Sequence, residues 1–142
     1  GGNHTVEGQT SLNMNTWYHI ALKYDGTTLA LYVDGELDGS QNYSDEPTQS
    51  SDALFAVGTS MNPGGTPAGF FEGQIDEVRV WDQARSESEI ADNLDLKLTS
   101  GTGLVASWPF DADVGGANDQ TGSADANLGG DALLAAPGAI CE

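Results

Sequence analysis

The chain has 142 residues, 38% of them hydrophobic, and carries 22 Asp and Glu against 4 Lys and Arg, a formal net charge of −18. That length suits one domain with a core of its own. The charge repels phosphate backbones and so argues against nucleic acid and anionic membrane surfaces as partners, and no apolar run approaches the ~20 residues of a membrane helix.

The carboxylates are spread along the chain rather than gathered in a tail. Divalent-cation binding, solubility in strong salt and a plain solvated acidic surface each account for them. Salt adaptation carries most weight, because screening removes the cost of self-repulsion.

Gly1 to Gly8 reads as a tail or a strand end, with no recognisable secretory signal. Leu12 and Met14 lead into Asn15-Thr16-Trp17. Tyr18, Ile20, Leu22 and Tyr24 alternate with His19, Ala21 and Lys23, the period-two pattern of a half-buried strand. Asp25-Gly26-Thr27 is a turn, and Leu29, Leu31 and Val33 form the return strand with Ala30, Tyr32 and Asp34 opposite. Asp34-Gly35 is a strong hairpin signal, after which Leu37 starts a short strand. Gln41 to Asp52 is polar and reads as a loop, and Leu54 to Gly58 as a further strand. Thr59 to Gly69, rich in glycine and proline, reads as a long loop, and loops of this length in compact domains often carry function.

The stretch from Phe70 to Ile90 organises the rest. Phe71, Gly73 and Ile75 share one strand phase and Val78 and Val80 the other, so a bulge or kink is expected at Asp76-Glu77. Trp81 closes the strand. Ser86-x-x-Glu89 is a capping box, and Ile90 and Leu94 then lie on one face of a short helix near Ser86 to Leu94. Thr99 to Gly103 is a joint, and Leu104 to Phe110 a strand with Pro109 at its edge or end. The run from Asp111 to Asp131 is rich in Asp, Asn and Gly, and a final strand is expected where apolar residues return at Leu133, Leu134 and Ile140.

Two segments resemble one family. Trp17-Tyr18-His19-Ile20-Ala21-Leu22-x-Tyr24-Asp25-Gly26 with Leu31-Tyr32-Val33-Asp34-Gly35, followed in order by Phe71-x-Gly73-x-Ile75-Asp76-Glu77-Val78-x-Val80-Trp81 and a capped helix, is similar to the laminin G-like jelly roll of the concanavalin A-like lectin superfamily. The resemblance covers Trp17 to about Phe110. It implies an all-β fold: an antiparallel β-sandwich of jelly-roll, concanavalin A-like type with one short helix. Residues 1–110 would form the sandwich core, and 111–142 a loop and final strand of the same domain. The family's early strands normally precede the Trp17 motif. They are therefore expected from another part of the parent protein, from a neighbouring chain, or from the C-terminal segment folding back. For function the resemblance is weak, since this fold carries binding modules, enzymes and structural domains alike.

The chemistry of the residues narrows this. Asp111, Asp113, Asn118 and Asp119 offer closely spaced oxygens of the kind calcium takes, although the same residue types make turns by bonding their own backbone. In the related pentraxin branch a loop matching Thr59, Ser60, Met61 and Asn62 supplies acidic calcium ligands; none is acidic here, and Asn62 offers only an amide oxygen. Asp76 and Glu77 are adjacent and point apart in a strand, unlike the facing pair of a retaining glycosidase. Nothing in the spacing supports a Ser-His-Asp or Cys-His set, so no catalytic residues are assigned. His19 and His4 read as surface or packing residues, and Cys141, the single cysteine, permits no internal disulfide. Most aromatics sit in strands and are expected to be buried; Tyr32 and Tyr43 are expected to be exposed and, with Asn62, to bind ligand.

The reading is a non-catalytic, extracellular or cell-surface module of a larger protein. It binds carbohydrate or a surface glycoconjugate with the help of calcium. The alternative is a structural or self-assembling surface or filament domain completed by other segments of the parent protein or by neighbouring copies.

Overall fold

The structure, a computed structural model, describes residues 4–43, 55–61, 66–111, 117–122 and 124–126. Among them the chain forms antiparallel sheets and one short helix, in the order β1 (Ile20–Tyr24), β2 (Thr28–Val33), β3 (Glu36–Asn42), β4 (Thr59–Met61), β5 (Pro67–Phe70), β6 (Val78–Trp81), α1 (Glu87–Ala91) and β7 (Leu104–Trp108). The sheets are β1-β2-β3, β4-β5 and β6-β7. The all-β, antiparallel expectation with a single helix holds.

The first sheet is built by its turns. Asp25 Oδ1 accepts the Thr27 and Thr28 amides at 3.0 and 2.8 Å, which reverses the chain between β1 and β2. Between β2 and β3 the two-residue loop Asp34-Gly35 has positive φ at both positions, 49° and 82°, the twist that a tight hairpin needs. Val33 consequently pairs with Glu36. Asp34 also ties the strand entrance: its carboxylate accepts the His19 amide at 2.8 Å.

One face of this sheet carries the core. Ala30 and Tyr32 are buried with Ile90 of α1 packed against them and Ala21 beside them. Burying a side chain such as Ile90 contributes about 1.5–3 kcal/mol. Lys23 lies 5.7 Å over the Tyr32 ring, and the Tyr32 hydroxyl donates to Glu87 at 3.3 Å. Tyr32 is therefore 2% exposed, which corrects the expectation of an exposed ring. The opposite phase, read above as the apolar side of β1, shows Ile20 and Leu22 at 49% and 64% exposure.

The helix starts as its sequence dictates. The Ser86 hydroxyl accepts the Glu89 amide at 3.2 Å, and the Glu89 carboxylate accepts the Ser86 amide at 2.8 Å. The helix ends at Ala91, earlier than Leu94.

Three expectations are corrected. Phe71 to Ile75 is not strand: β6 begins at Val78, directly after the expected kink, which is real, since Glu77 has φ 52°. Residues 55–58 are irregular, because Gly58 turns into the left-handed region at φ 75°; pairing starts at Thr59. The stretch read as one long loop instead contains the β4-β5 ribbon. Aromatic burial also splits. Trp108 is buried and donates its indole N–H to Ala124 at 2.8 Å, whereas Trp17, Phe55, Phe70 and Phe71 are exposed.

Candidate functional site

The N-terminal segment crosses β3 so closely that a side chain at Gly39 would collide with the Glu7 carbonyl. Tyr43 pins it there. Its hydroxyl accepts the Thr5 amide at 2.7 Å and donates to the Thr5 carbonyl, and the His4 ring stacks on it at 4.0 Å. Between the segment and the end of β3 lies a cleft of ≈ 380 Å³ lined by Thr5, Val6, Glu7, Ser40, Gln41 and Tyr43. Its lining is mostly hydroxyl, amide and carboxylate around one aromatic ring, a set suited to fixing a hydroxylated ligand.

A second cleft of ≈ 310 Å³ lies farther along the same segment, lined by Gly8, Thr10, Leu12, Ile20, Leu31, Val33 and Asp38. It is mostly apolar, its polar side chains being Thr10 and Asp38; the Asp38 carboxylate accepts the Gln9 and Thr10 amides at 2.9 and 3.0 Å and the Thr10 hydroxyl at 2.6 Å. Asp38 thus anchors the segment.

Of the residues expected to bind ligand, Tyr43 stands at the polar cleft, Tyr32 is buried beneath α1, and Asn62 lies outside the described residues. Thr5, Glu7, Ser40 and Gln41 were not singled out from sequence. They meet because Tyr43 and Asp38 bond residues 38 and 28 positions earlier, and alternation in β3 gives no sign of that.

Of the residues expected to hold calcium, Asp113 lies outside the described residues and Asn118 is exposed. Asp111 pairs with Lys97 at 2.5 Å. Asp119 is 5% exposed, and its carboxylate accepts the Ser107, Thr121 and Ala124 amides at 2.8, 2.9 and 3.0 Å and the Thr121 hydroxyl at 2.6 Å. Both carboxylates thus already hold protein donors. Among the described residues no group of three or more His, Cys, Asp or Glu side chains is arranged to hold a metal. The described residues do not by themselves fit a calcium ion.

A pair of carboxylates with raised pKa values sits elsewhere. Asp76 and Glu77 are both pushed above the ordinary carboxylate range, first by burial; the neighbouring negative charges of Asp111 on Asp76, and of Asp76 and Asp111 on Glu77, push the same way. Lys97, 4.0 Å from Glu77, opposes this. Arg79 donates to the Asn93 and Leu96 carbonyls at 3.3 and 3.1 Å and is half-buried. Together these groups clip the start of β6 to the chain before and after β7. Burial and Arg79 also lower the pKa of His19, which favours its neutral form.

Comparison with known proteins agrees with this architecture. Residues 1–91 match a laminin G-type family model of the concanavalin A-like lectin/glucanases superfamily. The chain is 28% identical over 117 residues to the mouse (Mus musculus) sushi, von Willebrand factor type A, EGF and pentraxin domain-containing protein 1, covering 76% of this chain and 3% of that one. Among solved structures it is similar to a candidate carbohydrate-binding protein from Bacteroides ovatus, with 30% identity, a TM-score of 0.62, and coverage of 72% of this chain and 30% of that chain. It is also similar to residues 221–444 of an S-layer domain-containing protein from Clostridium thermocellum, with 26% identity, a TM-score of 0.51, and coverage of 60% and 42%. The chain thus spans less than half the length of each of these relatives. No helix among the described residues is long and apolar enough to cross a membrane. With the family match extending over most of its length, the chain belongs to the laminin G-type family of the concanavalin A-like lectin/glucanases superfamily.

Proposed function

We propose that this chain is a non-catalytic carbohydrate-binding module, acting as one part of a larger extracellular or cell-surface protein. The observation that carries the reading is the polar cleft at Tyr43, where an aromatic ring stands among Thr5, Glu7, Ser40 and Gln41. The candidate carbohydrate binder among the structural relatives supports the same reading. Among the described residues each of the two clefts is lined by a single carboxylate, Glu7 in one and Asp38 in the other. Neither offers the facing pair of acids that glycoside hydrolysis needs, which supports binding rather than catalysis. Isothermal titration against a panel of oligosaccharides tests the reading, with Gln41→Ala as the control variant. Gln41 is exposed, so its loss should weaken binding without unfolding the chain. Uptake of no sugar at high protein concentration sinks the proposal.

One observation favours a second reading, a structural or self-assembling domain. Leu12, Ile20 and Leu22 are exposed at 57%, 49% and 64%. An apolar sheet face of this kind often marks an interaction surface. The S-layer relative points the same way.

A further inference from the structure

Resting on the carbohydrate reading, we propose that the cleft at Tyr43 takes a neutral glycan, one whose recognised units carry hydroxyls but no sulfate, phosphate or carboxylate. The inference comes from an account of every Lys and Arg side chain in the protein. There are four in the whole sequence, Lys23, Arg79, Arg85 and Lys97. Each is engaged within the fold. Lys23 lies over the Tyr32 ring at 5.7 Å. Arg79 is half-buried and donates to the Asn93 and Leu96 carbonyls. Arg85 lies 4.2 Å over the Trp81 ring and pairs with Glu89 at 3.2 Å. Lys97 holds Asp111 at 2.5 Å.

None of the four lines the cleft, whose one charged residue among the described residues is the acidic Glu7. An anionic sugar is recognised by charge-assisted bonds, usually from Arg or Lys forks. Such a sugar entering here would meet a carboxylate and a chain of net charge −18. Its desolvation would go uncompensated. A neutral sugar asks for different things: hydroxyl and amide partners, which Thr5, Ser40 and Gln41 supply, and an aromatic wall, which Tyr43 supplies with the His4 ring stacked on it.

The test titrates two sets of oligosaccharides by calorimetry, at about pH 8 and at two salt levels, roughly 0.05 and 0.5 M NaCl. Cello-, xylo-, manno- and chitohexaose form the neutral set; a heparin hexasaccharide and a sialylated oligosaccharide form the anionic set. The expected result is saturable binding of at least one neutral sugar, changing less than about twofold between the two salt levels, and none of the anionic sugars. Gln41→Lys places a cation at the cleft rim and should reverse the preference, with neutral affinity falling and anionic affinity rising by on the order of tenfold at the lower salt. An anionic sugar bound by the native chain at least as tightly as the best neutral one overturns the charge class and leaves carbohydrate binding standing. Neutral binding that Gln41→Lys does not change overturns the cleft as its site. Binding of neither set overturns the carbohydrate reading, and this inference with it.

Discussion

The Ser107 amide, buried in β7, donates to the Asp119 carboxylate at 2.8 Å across twelve residues of chain. Because both residues are buried, this bond decides whether an interior donor is satisfied. The same carboxylate gathers Thr121 and Ala124, and the Ser107 hydroxyl reaches back to Leu98 at 2.8 Å. Asp119→Ala should therefore cost about 3 kcal/mol or more, since it orphans a buried amide and removes a charged acceptor. Asp119→Asn, which keeps one acceptor oxygen, should cost less. Urea unfolding of the two variants checks the order, and equal small losses would show that the turn rearranges freely.

Asp76 and Glu77 set the acid limb of stability in an unusual direction. Their folded pKa values are raised, mainly by burial, so the folded state binds their protons more tightly than the unfolded state does. The stability they lend is fully present below the ordinary carboxylate value and is lost as pH rises through the raised value. Asp25 and Glu89 run the other way: backbone hydrogen bonds from Thr28 and Thr27, and from Ser86, hold them low, so their contribution is lost as pH falls. Glu77→Gln removes one raised group. It should increase the unfolding midpoint at neutral pH and leave it nearly unchanged at pH values below the ordinary carboxylate range. A larger gain in acid than at neutral pH would contradict the burial account.

Glu77 also carries backbone strain, with φ 52°. A left-handed conformation costs a residue with a Cβ about 1–2 kcal/mol. Glu77→Gly should therefore stabilise the chain by about 1 kcal/mol despite the extra freedom of the unfolded state. The lost contact to Lys97, at 4.0 Å and with the lysine side chain 55% exposed, offsets little of this.

How much of this was legible depended on distance along the chain. The Asp34-Gly35 hairpin, the capping box of Ser86 and Glu89 and the kink at Glu77 are set by residues one to three positions apart, and each shows in the sequence. Which face of β1-β2 is covered does not. Alternation separates Ile20 and Leu22 from Ala21 and Lys23, but only α1, docking Ile90 some 58 residues after Tyr32, buries Tyr32 and leaves Leu22 exposed. Asp119 reads as turn chemistry until β7 closes over it. The cleft required the Tyr43–Thr5 bond, which no local pattern announces.

Calcium assistance remains our proposal for Asp111, Asp113, Asn118 and Asp119, and the geometry gives it a sharp test. An ion would have to displace Lys97 from Asp111 and amide donors from Asp119. Calcium should raise the melting temperature more than magnesium at equal ionic strength; equal rises would report only screening of the −18 charge and remove the site. A calcium-specific rise that disappears in Asp113→Asn would establish the site, because a ligand that binds only the native state stabilises it by mass action.

The exposed apolar face of β1 makes a prediction whose sign separates it from any ionic contact. Ile20 and Leu22 stand at 49% and 64% exposure beside Leu12 at 57%. Burying such side chains between copies is favourable. The net charge of −18 on every copy opposes it. Added salt shortens the screening length from about 10 Å at 0.1 M to about 3 Å at 1 M, which weakens the repulsion and leaves the apolar attraction in place. Self-association should therefore grow with salt, whereas association through ion pairs would shrink. Sedimentation equilibrium across that salt range reads the difference. Leu22→Glu should return the chain to a monomer at every salt level while its β-rich circular dichroism is kept. A native chain that sediments as a monomer at high salt and high concentration would remove the apolar face as a surface for self-assembly.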